Sequence, residues 1–172
     1  MTMSFDTSII RPEMHDADVR MRIGALTGRS AESVRKGLVT LHTLELMAVN
    51  IYRFQITSRE SEHNRQLIAA MCNEMTHLQD FQVKLFEYGW RPSRLRWAYW
   101  IAGFLIGTWS RFMGARAILA TGIWVETKAI RHYATLLGTI PWDERTRSII
   151  EKNQADEEGH VARWKDLLGK PS

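Results

Sequence analysis

The stretches Cys72-Asn73-Glu74-Met75-Thr76-His77 and Ala155-Asp156-Glu157-Glu158-Gly159-His160 decide how this chain is read. Each holds a Glu-x-x-His triplet, Glu74 to His77 and Glu157 to His160. Residues three apart on an α-helix share a face about one turn apart, so each triplet offers an oxygen and a nitrogen to one place. About thirty residues upstream of each stands another glutamate, Glu45 and Glu126. One glutamate from each of two helices and a Glu-x-x-His from each of two others make the ligand set of a carboxylate-bridged metal pair in a four-helix bundle. The expected fold is all-α, and the expected metal ligands are Glu45, Glu74, His77, Glu126, Glu157 and His160.

The spacing fits two antiparallel hairpins. Glu45 and Glu74 are 29 residues apart, and Glu126 and Glu157 are 31. A turn midway leaves both partners about 18 to 20 Å from it, at roughly 1.5 Å per residue, so each pair meets at one height. Turn signals lie near both midpoints: Thr57-Ser58-Arg59-Glu60 reads as a capping box, and Gly138-Thr139-Ile140-Pro141 as a helix stop followed by a new start. The halves repeat each other at offsets of 81 residues for the upstream glutamates and 83 for the triplets. Tyr52 and Tyr133 each follow their upstream glutamate by seven residues, two helical turns, and so share its face. Duplication of a helical hairpin accounts for this pattern.

One Glu-x-x-His on a helix is most often a solvated face; two, with matching upstream glutamates, rarely coincide by accident. The upstream glutamates also sit in apolar runs, Leu44-Glu45-Leu46-Met47-Ala48-Val49 and Ile123-Trp124-Val125-Glu126. A buried carboxylate needs a cation, a metal or a proton. Oxygen and imidazole donors suit two iron ions, with manganese as the alternative, whereas thiolates would favour zinc or a cluster.

At 172 residues the chain is long enough for one domain with a sizeable core. Its net charge of +4, from 23 basic and 19 acidic residues, does not by itself point to nucleic acid, and no such partner is expected. The single cysteine, Cys72, permits no internal disulfide and is expected to be a small buried hydrophobe. Met47, Met71 and Met75 are expected to fill the core. Residues 1–30 lack the basic-then-apolar pattern of a secretory signal and form an expected N-terminal extension to a metal-binding domain spanning 31–172.

Apolar periodicity predicts helices over 31–56, 61–88, 114–137 and 143–168. Between the second and third, Gly89-Trp90-Arg91-Pro92-Ser93 breaks the chain, and an aromatic apolar stretch follows. Its uncharged run, 97–110, is 14 residues long, short of the roughly 20 needed to span a bilayer. Arg91, Arg94, Arg96, Arg111 and Arg116 flank it, and Trp90, Trp97, Tyr99, Trp100 and Trp109 are rings favoured at the headgroup level. Two readings stand: a helix lying in one leaflet, contacting the membrane through residues 95–112, or an apolar crossover helix packed on the bundle or in a dimer interface.

The order Glu, Glu-x-x-His, Arg91-Pro92-Ser93, an aromatic stretch with Gly103, Gly107 and Gly114, then Val125-Glu126, His132-Tyr133 and Asp156-Glu157-Glu158-Gly159-His160 resembles the demethoxyubiquinone hydroxylase family of ubiquinone biosynthesis. Ile51-Tyr52 with Gln55 adds to it, and the resemblance covers about residues 35 to 168. Where that family has a small residue and glycine before its first glutamate, this chain has Leu41-His42-Thr43-Leu44-Glu45. Where the family follows its third-helix glutamate with a second acid, this chain has Thr127.

The resemblance implies a ferritin-like four-helix bundle with an extra short hydrophobic interfacial helix between helices 2 and 3. It implies a di-iron monooxygenase, held peripherally on the cytoplasmic side of a cell membrane, that hydroxylates a lipid-soluble quinone with dioxygen. Glu74 and Glu157 would bridge the ions, Glu45 and Glu126 would be terminal ligands, and His77 and His160 would each bind one iron. Tyr52, His132 and Tyr133 would orient ligands or line a channel. His42, one turn before Glu45, is expected to hydrogen bond near the site, Asp80 could orient the His77 ring, and Asp156 and Glu158 are expected to point away from the metals. No nucleotide-binding glycine fingerprint is present, so electrons would come from a donor such as NADH acting directly or from a reductase; a homo-oligomer is possible. Two other classes remain open: a ferritin-like or rubrerythrin-like oxidase or peroxidase with no organic substrate, and a non-catalytic, metal-stabilised lipid-binding module.

Overall fold

The computed structural model describes residues 19–169. The described residues are helical and contain no strand: α1 (Gly28–Gln55), α2 (Glu62–Glu87), α3 (Arg96–Phe112), α4 (Ala115–Thr139) and α5 (Glu144–Gly169). The hairpins α1/α2 and α4/α5 and the pair α1/α3 form the most extensive packing, and the hairpins meet through α1 with α4 and α2 with α5. The four predicted long helices therefore exist within one to three residues of their expected limits. Most of residues 1–30, the expected extension, lies outside the described residues, as does the end of the chain from residue 170. Residues 19–27 pack on the bundle: Leu26 joins the core, and Arg22 pairs with Asp143 at 2.9 Å and donates its backbone N–H to the Glu87 carbonyl at 2.6 Å.

The turns differ in detail from the sequence reading. The cap of α2 is Ser61, whose hydroxyl accepts from the Asn64 N–H at 3.1 Å, so the capping box assigned to Thr57 through Glu60 is corrected. Thr57 instead exchanges two backbone hydrogen bonds with the Asn64 side chain, each 2.8 Å, closing the loop that precedes the cap. The stretch Gly138 to Pro141 does stop α4, which runs through Thr139 and ends where Ile140 turns extended before Pro141. Asp143 caps α5 by accepting from both the backbone and the hydroxyl of Thr146. Cys72 is exposed rather than buried, and Met75 is 51% exposed, so neither fills the core. Both lie beside Glu74 on turns of α2 that face away from the bundle.

The core is divided. One apolar cluster contains Leu38, Leu41, Phe81, Leu85, Tyr133 and Ile150, the other Tyr52, Leu67, Ala70, Ile118 and Trp164. Along each helix, a polar layer falls between them: Glu45 between Leu41 and Tyr52, and Glu74 and His77 between Ala70 and Phe81.

Helix α3 is packed on the bundle, as the crossover reading expected. Gly103 and Gly107 let it approach α1 so closely that a Cβ would stand 2.6 Å from the Met47 carbonyl at the first and 2.5 Å from the Ile51 carbonyl at the second. Ser110 continues this face and accepts from the Gln55 amide at 2.8 Å. The opposite face carries Trp97, Ile101, Leu105 and Trp109, all exposed and spaced by four. Gly114, at φ 93°, supplies the left-handed backbone that turns the chain from α3 into α4. Among the described residues no helix is long and apolar enough to cross a membrane.

Candidate metal centre

All six predicted ligand residues meet in the polar layer, each at most 2% exposed. They form two overlapping groups, Glu45, Glu74, His77 and Glu157, and Glu74, Glu126, Glu157 and His160, with donor atoms in each group within 4.8 Å of one another. Glu74 and Glu157 belong to both. The periodicity explains the convergence: each triplet turns its two members to the bundle interior, and the hairpin geometry brings each upstream glutamate to the same height.

Both histidines aim Nδ1 inward. His77 Nδ1 lies 2.9 Å from Glu157, 3.6 Å from Glu74 and 3.8 Å from Glu45. His160 Nδ1 lies 3.0 Å from Glu74, 3.1 Å from Glu157 and 3.9 Å from Glu126. Each histidine therefore makes its shortest approach to the glutamate of the other triplet, which gives the site the approximate twofold relation that the sequence repeat implies.

Whether these residues suit a metal pair can be judged from their unsatisfied atoms and their charge. Both oxygens of Glu74, one of Glu157 and Nδ1 of His77 are buried with no hydrogen-bond partner outside the cluster itself. Buried polar atoms are almost always paired, and an inward-facing set of orphaned donor atoms is what a bound ion would complete. Four carboxylates carry a formal charge of −4, which two divalent cations would cancel; burying that charge alone would be very costly. Oxygen and imidazole donors match iron or manganese. The residues fit the expected pair of ions.

Burial and mutual repulsion set the charges of this cluster. Burial pushes Glu45 up to about 7 and, with Glu157 and Glu74 nearby, raises Glu126 well above the usual carboxylate range. Burial opposes the charged form of His77, but Glu157, Asp156 and Glu45 outweigh it and hold this imidazole well above its ordinary value. His160 is raised to about 9 by Glu157 and Glu74 against the same burial.

The two tyrosines cross between hairpins. Tyr133 on α4 donates to Glu45 on α1 at 2.6 Å, and Tyr52 on α1 donates to Glu126 on α4. Burial and the adjacent glutamates raise both phenols well above their ordinary value, so both stay protonated donors. Trp164 donates to the Tyr52 hydroxyl at 3.1 Å and extends this chain to α5. His132, beside Tyr133, is half-buried and belongs to neither ligand group.

Asp156 has a role that its sequence position did not suggest. It points out of the cluster, as expected, yet accepts from His77 Nε2 at 3.1 Å across the α2–α5 contact. A proton on Nε2 leaves the Nδ1 lone pair directed at the ligand cluster. Burial works against the Asp156 carboxylate, but His77 lowers it to about 2. The corresponding residue of the first half, 83 positions earlier, is Asn73, which turns toward Asp156 at 3.5 Å, and Nε2 of His160 is buried without a partner. The repeat could have flagged position 156, but only the tertiary packing identifies its partner. Asp80 is buried and accepts from Asn153 at 3.4 Å. His42 is buried and pairs with Gln82 at 3.3 Å, outside both ligand groups. Thr127 bonds the Ile123 carbonyl of its own helix at 2.6 Å, and Leu44 is half-buried beside Glu45.

Comparison with known proteins agrees with this arrangement. The family model described as ubiquinone biosynthesis protein COQ7 matches residues 34–166. Among curated relatives, the 3-demethoxyubiquinol 3-hydroxylase of Alcanivorax borkumensis is 28% identical over 130 residues, covering 74% of this chain and 59% of the relative. The protein of the same name from Legionella pneumophila (strain Lens) is 28% identical over 122 residues, 70% of this chain and 57% of the relative. That of Bordetella pertussis is 30% identical over 132 residues, 76% and 60% respectively. The match thus spans less than two thirds of the length of these relatives.

Proposed function

The chain belongs to the family of ubiquinone biosynthesis protein COQ7, and from that premise we propose that it is a dioxygen-dependent monooxygenase that hydroxylates the ring of a lipid-soluble, quinone-like precursor. The observation that carries this reading is the pair of ligand groups sharing Glu74 and Glu157. In this reading Glu45, Glu74, His77 and Glu157 would hold one ion and Glu74, Glu126, Glu157 and His160 the other, iron by preference, with Glu74 and Glu157 available to both. Such a pair, when bound, supplies the activation of dioxygen and the insertion of one oxygen atom into the ring.

The protein's own residues prepare that chemistry. Tyr133 and Tyr52 hold Glu45 and Glu126 through their hydroxyls, so the outer carboxylates keep one rotamer. Asp156 holds the Nε2 proton of His77 and keeps Nδ1 available as a donor. Leu38, Leu41, Phe81 and Leu85 on one side and Leu67, Ile118 and Trp164 on the other keep bulk water from the layer. The reductant is an external electron donor, NADH or a reductase.

The exposed stripe on α3 supports peripheral attachment to a membrane, with Trp97, Ile101, Leu105 and Trp109 entering the interface while Gly103 and Gly107 keep the helix bound to α1. A lipid-soluble substrate would be met there. In this reading the protein lies on a membrane surface without crossing it.

The test is metal stoichiometry with Mössbauer spectroscopy on protein produced in iron-57 medium, alongside Glu74→Ala and Glu157→Ala, followed by hydroxylation of a demethoxyquinol. The expected result is a coupled pair of irons per chain, lost in both variants, and oxygen incorporated into the ring. Two irons with dioxygen consumed but no quinol product would favour the oxidase alternative. No coupled pair in the native protein would overturn the reading.

A further inference from the structure

Arg35 of α1, Arg91 and Arg94 of the connection from α2 to α3, and Arg96 at the start of α3 line one groove of about 1320 Å³, with Trp90 and Gln82 in its wall. All four arginines are exposed, none forms an ion pair with a described carboxylate, and no carboxylate is among the groove's described lining residues. Like charges gathered in one concavity repel each other and gain most from an anion. Guanidinium groups bind phosphate oxygens in bidentate fashion. Trp90 is half-buried and stacked on Tyr88 with ring centroids 4.7 Å apart, which gives the groove one fixed wall.

The groove is continuous with the apolar stripe. Arg96 opens α3, and Trp97, the next residue, begins the exposed row that runs through Ile101 and Leu105 to Trp109. A phosphate seated among the arginines would leave any attached hydrocarbon at the head of that row, about 18 Å long at roughly 1.5 Å per residue. A free phosphate or a nucleotide would use the arginines and leave the stripe bare. A phospholipid uses both.

We infer that the Arg35, Arg91, Arg94 and Arg96 groove is a binding site for the phosphate headgroup of an anionic phospholipid whose chains lie along the exposed face of α3. The inference rests on the membrane reading above and adds a headgroup preference to it. The full chain docks by a charged pocket at one end of α3 and by aromatic insertion along the rest.

The experiment measures partition of the full chain onto vesicles of phosphatidylcholine alone and of phosphatidylcholine mixed with phosphatidylglycerol, at fixed low salt. It compares the native chain with Arg91→Gln/Arg94→Gln, with Arg35→Gln/Arg96→Gln, and with the charge-matched pair Arg163→Gln/Lys165→Gln on α5. The site predicts tighter binding to the anionic vesicles and a loss of roughly 30-fold on removing either groove pair, the effect of two charges at an anionic surface. The α5 pair should leave the partition coefficient unchanged. Equal native binding to both vesicles would overturn the headgroup site and leave the membrane reading standing, whereas binding to neither would overturn the membrane reading itself. An equal loss in the α5 pair would show diffuse attraction and overturn the site.

Discussion

Tyr133 on α4 donates its hydroxyl to Glu45 on α1 at 2.6 Å, joining residues 88 positions apart, and Tyr52 on α1 returns the same contact to Glu126 on α4. Each hairpin thus carries the tyrosine that orients the other hairpin's outer glutamate. Neither half of the site is complete until the two hairpins have docked, so folding and ligand geometry are one event. Tyr133→Phe keeps the ring and removes only the donor. The expected outcome is a folded protein whose metal affinity falls about 10- to 100-fold, measured by chelator competition. An unchanged affinity would show that Glu45 needs no such support.

Asp156→Asn keeps the shape at the outer nitrogen of His77 but removes the charge that accepts its proton. Metal affinity should again fall about 10- to 100-fold. Because Asn73 already stands at the matching position of the first half, 83 residues earlier, the change makes the two halves alike in sequence. The loss should therefore fall on one ion more than the other, visible as unequal occupancy in a stepwise titration. Equal loss at both would contradict the asymmetry.

Removing the metals should reveal a stability that declines toward alkaline pH. Glu45 is raised from 4.5 to about 7, so the folded state holds a proton the unfolded chain has lost, and this advantage fades as pH rises from 4.5 through 7. His160 is raised from 6.5 to about 9; its contribution is complete below 6.5 and is lost as pH rises through 9. The signs agree. Glu74 and Glu157, both lowered despite burial by their histidines, act oppositely and weaken the fold only on the acid side of 4.5. The melting temperature of metal-free protein should fall between pH 6 and 9, while that of the loaded protein should not, since metal binding strengthens as ligands lose protons. A flat metal-free profile would count against the protonated cluster.

Gly107→Val places branched carbons where even a Cβ would stand 2.5 Å from the Ile51 carbonyl. That atom is backbone and cannot turn aside. The expected cost is about 1 to 3 kcal/mol, with faster hydrogen exchange along α3 than in α2 or α5. Should the variant melt and exchange like the native chain, α3 would not be docked through its glycines.

Much of this protein is legible in one dimension. The 3.6-residue period and the two hairpin separations determine four long helices, and a helix three residues apart must turn Glu74 with His77, and Glu157 with His160, to one face. Buried carboxylates in apolar runs then need a cation, a metal or a proton, which makes the cluster of six residues recoverable without coordinates. Turn chemistry was less legible: Thr57 and Ser61 are both competent caps, and loop closure by Asn64 selects the second. The partners of the ligands were not legible at all. That Asp156 meets His77, that Tyr133 meets Glu45 and that Arg35 joins Arg91, Arg94 and Arg96 in one groove depend on how helices distant in sequence are placed against each other. Periodicity fixes the direction of a side chain from its own helix axis, whereas its partner depends on the rotation and height of the neighbouring helix, which packing decides.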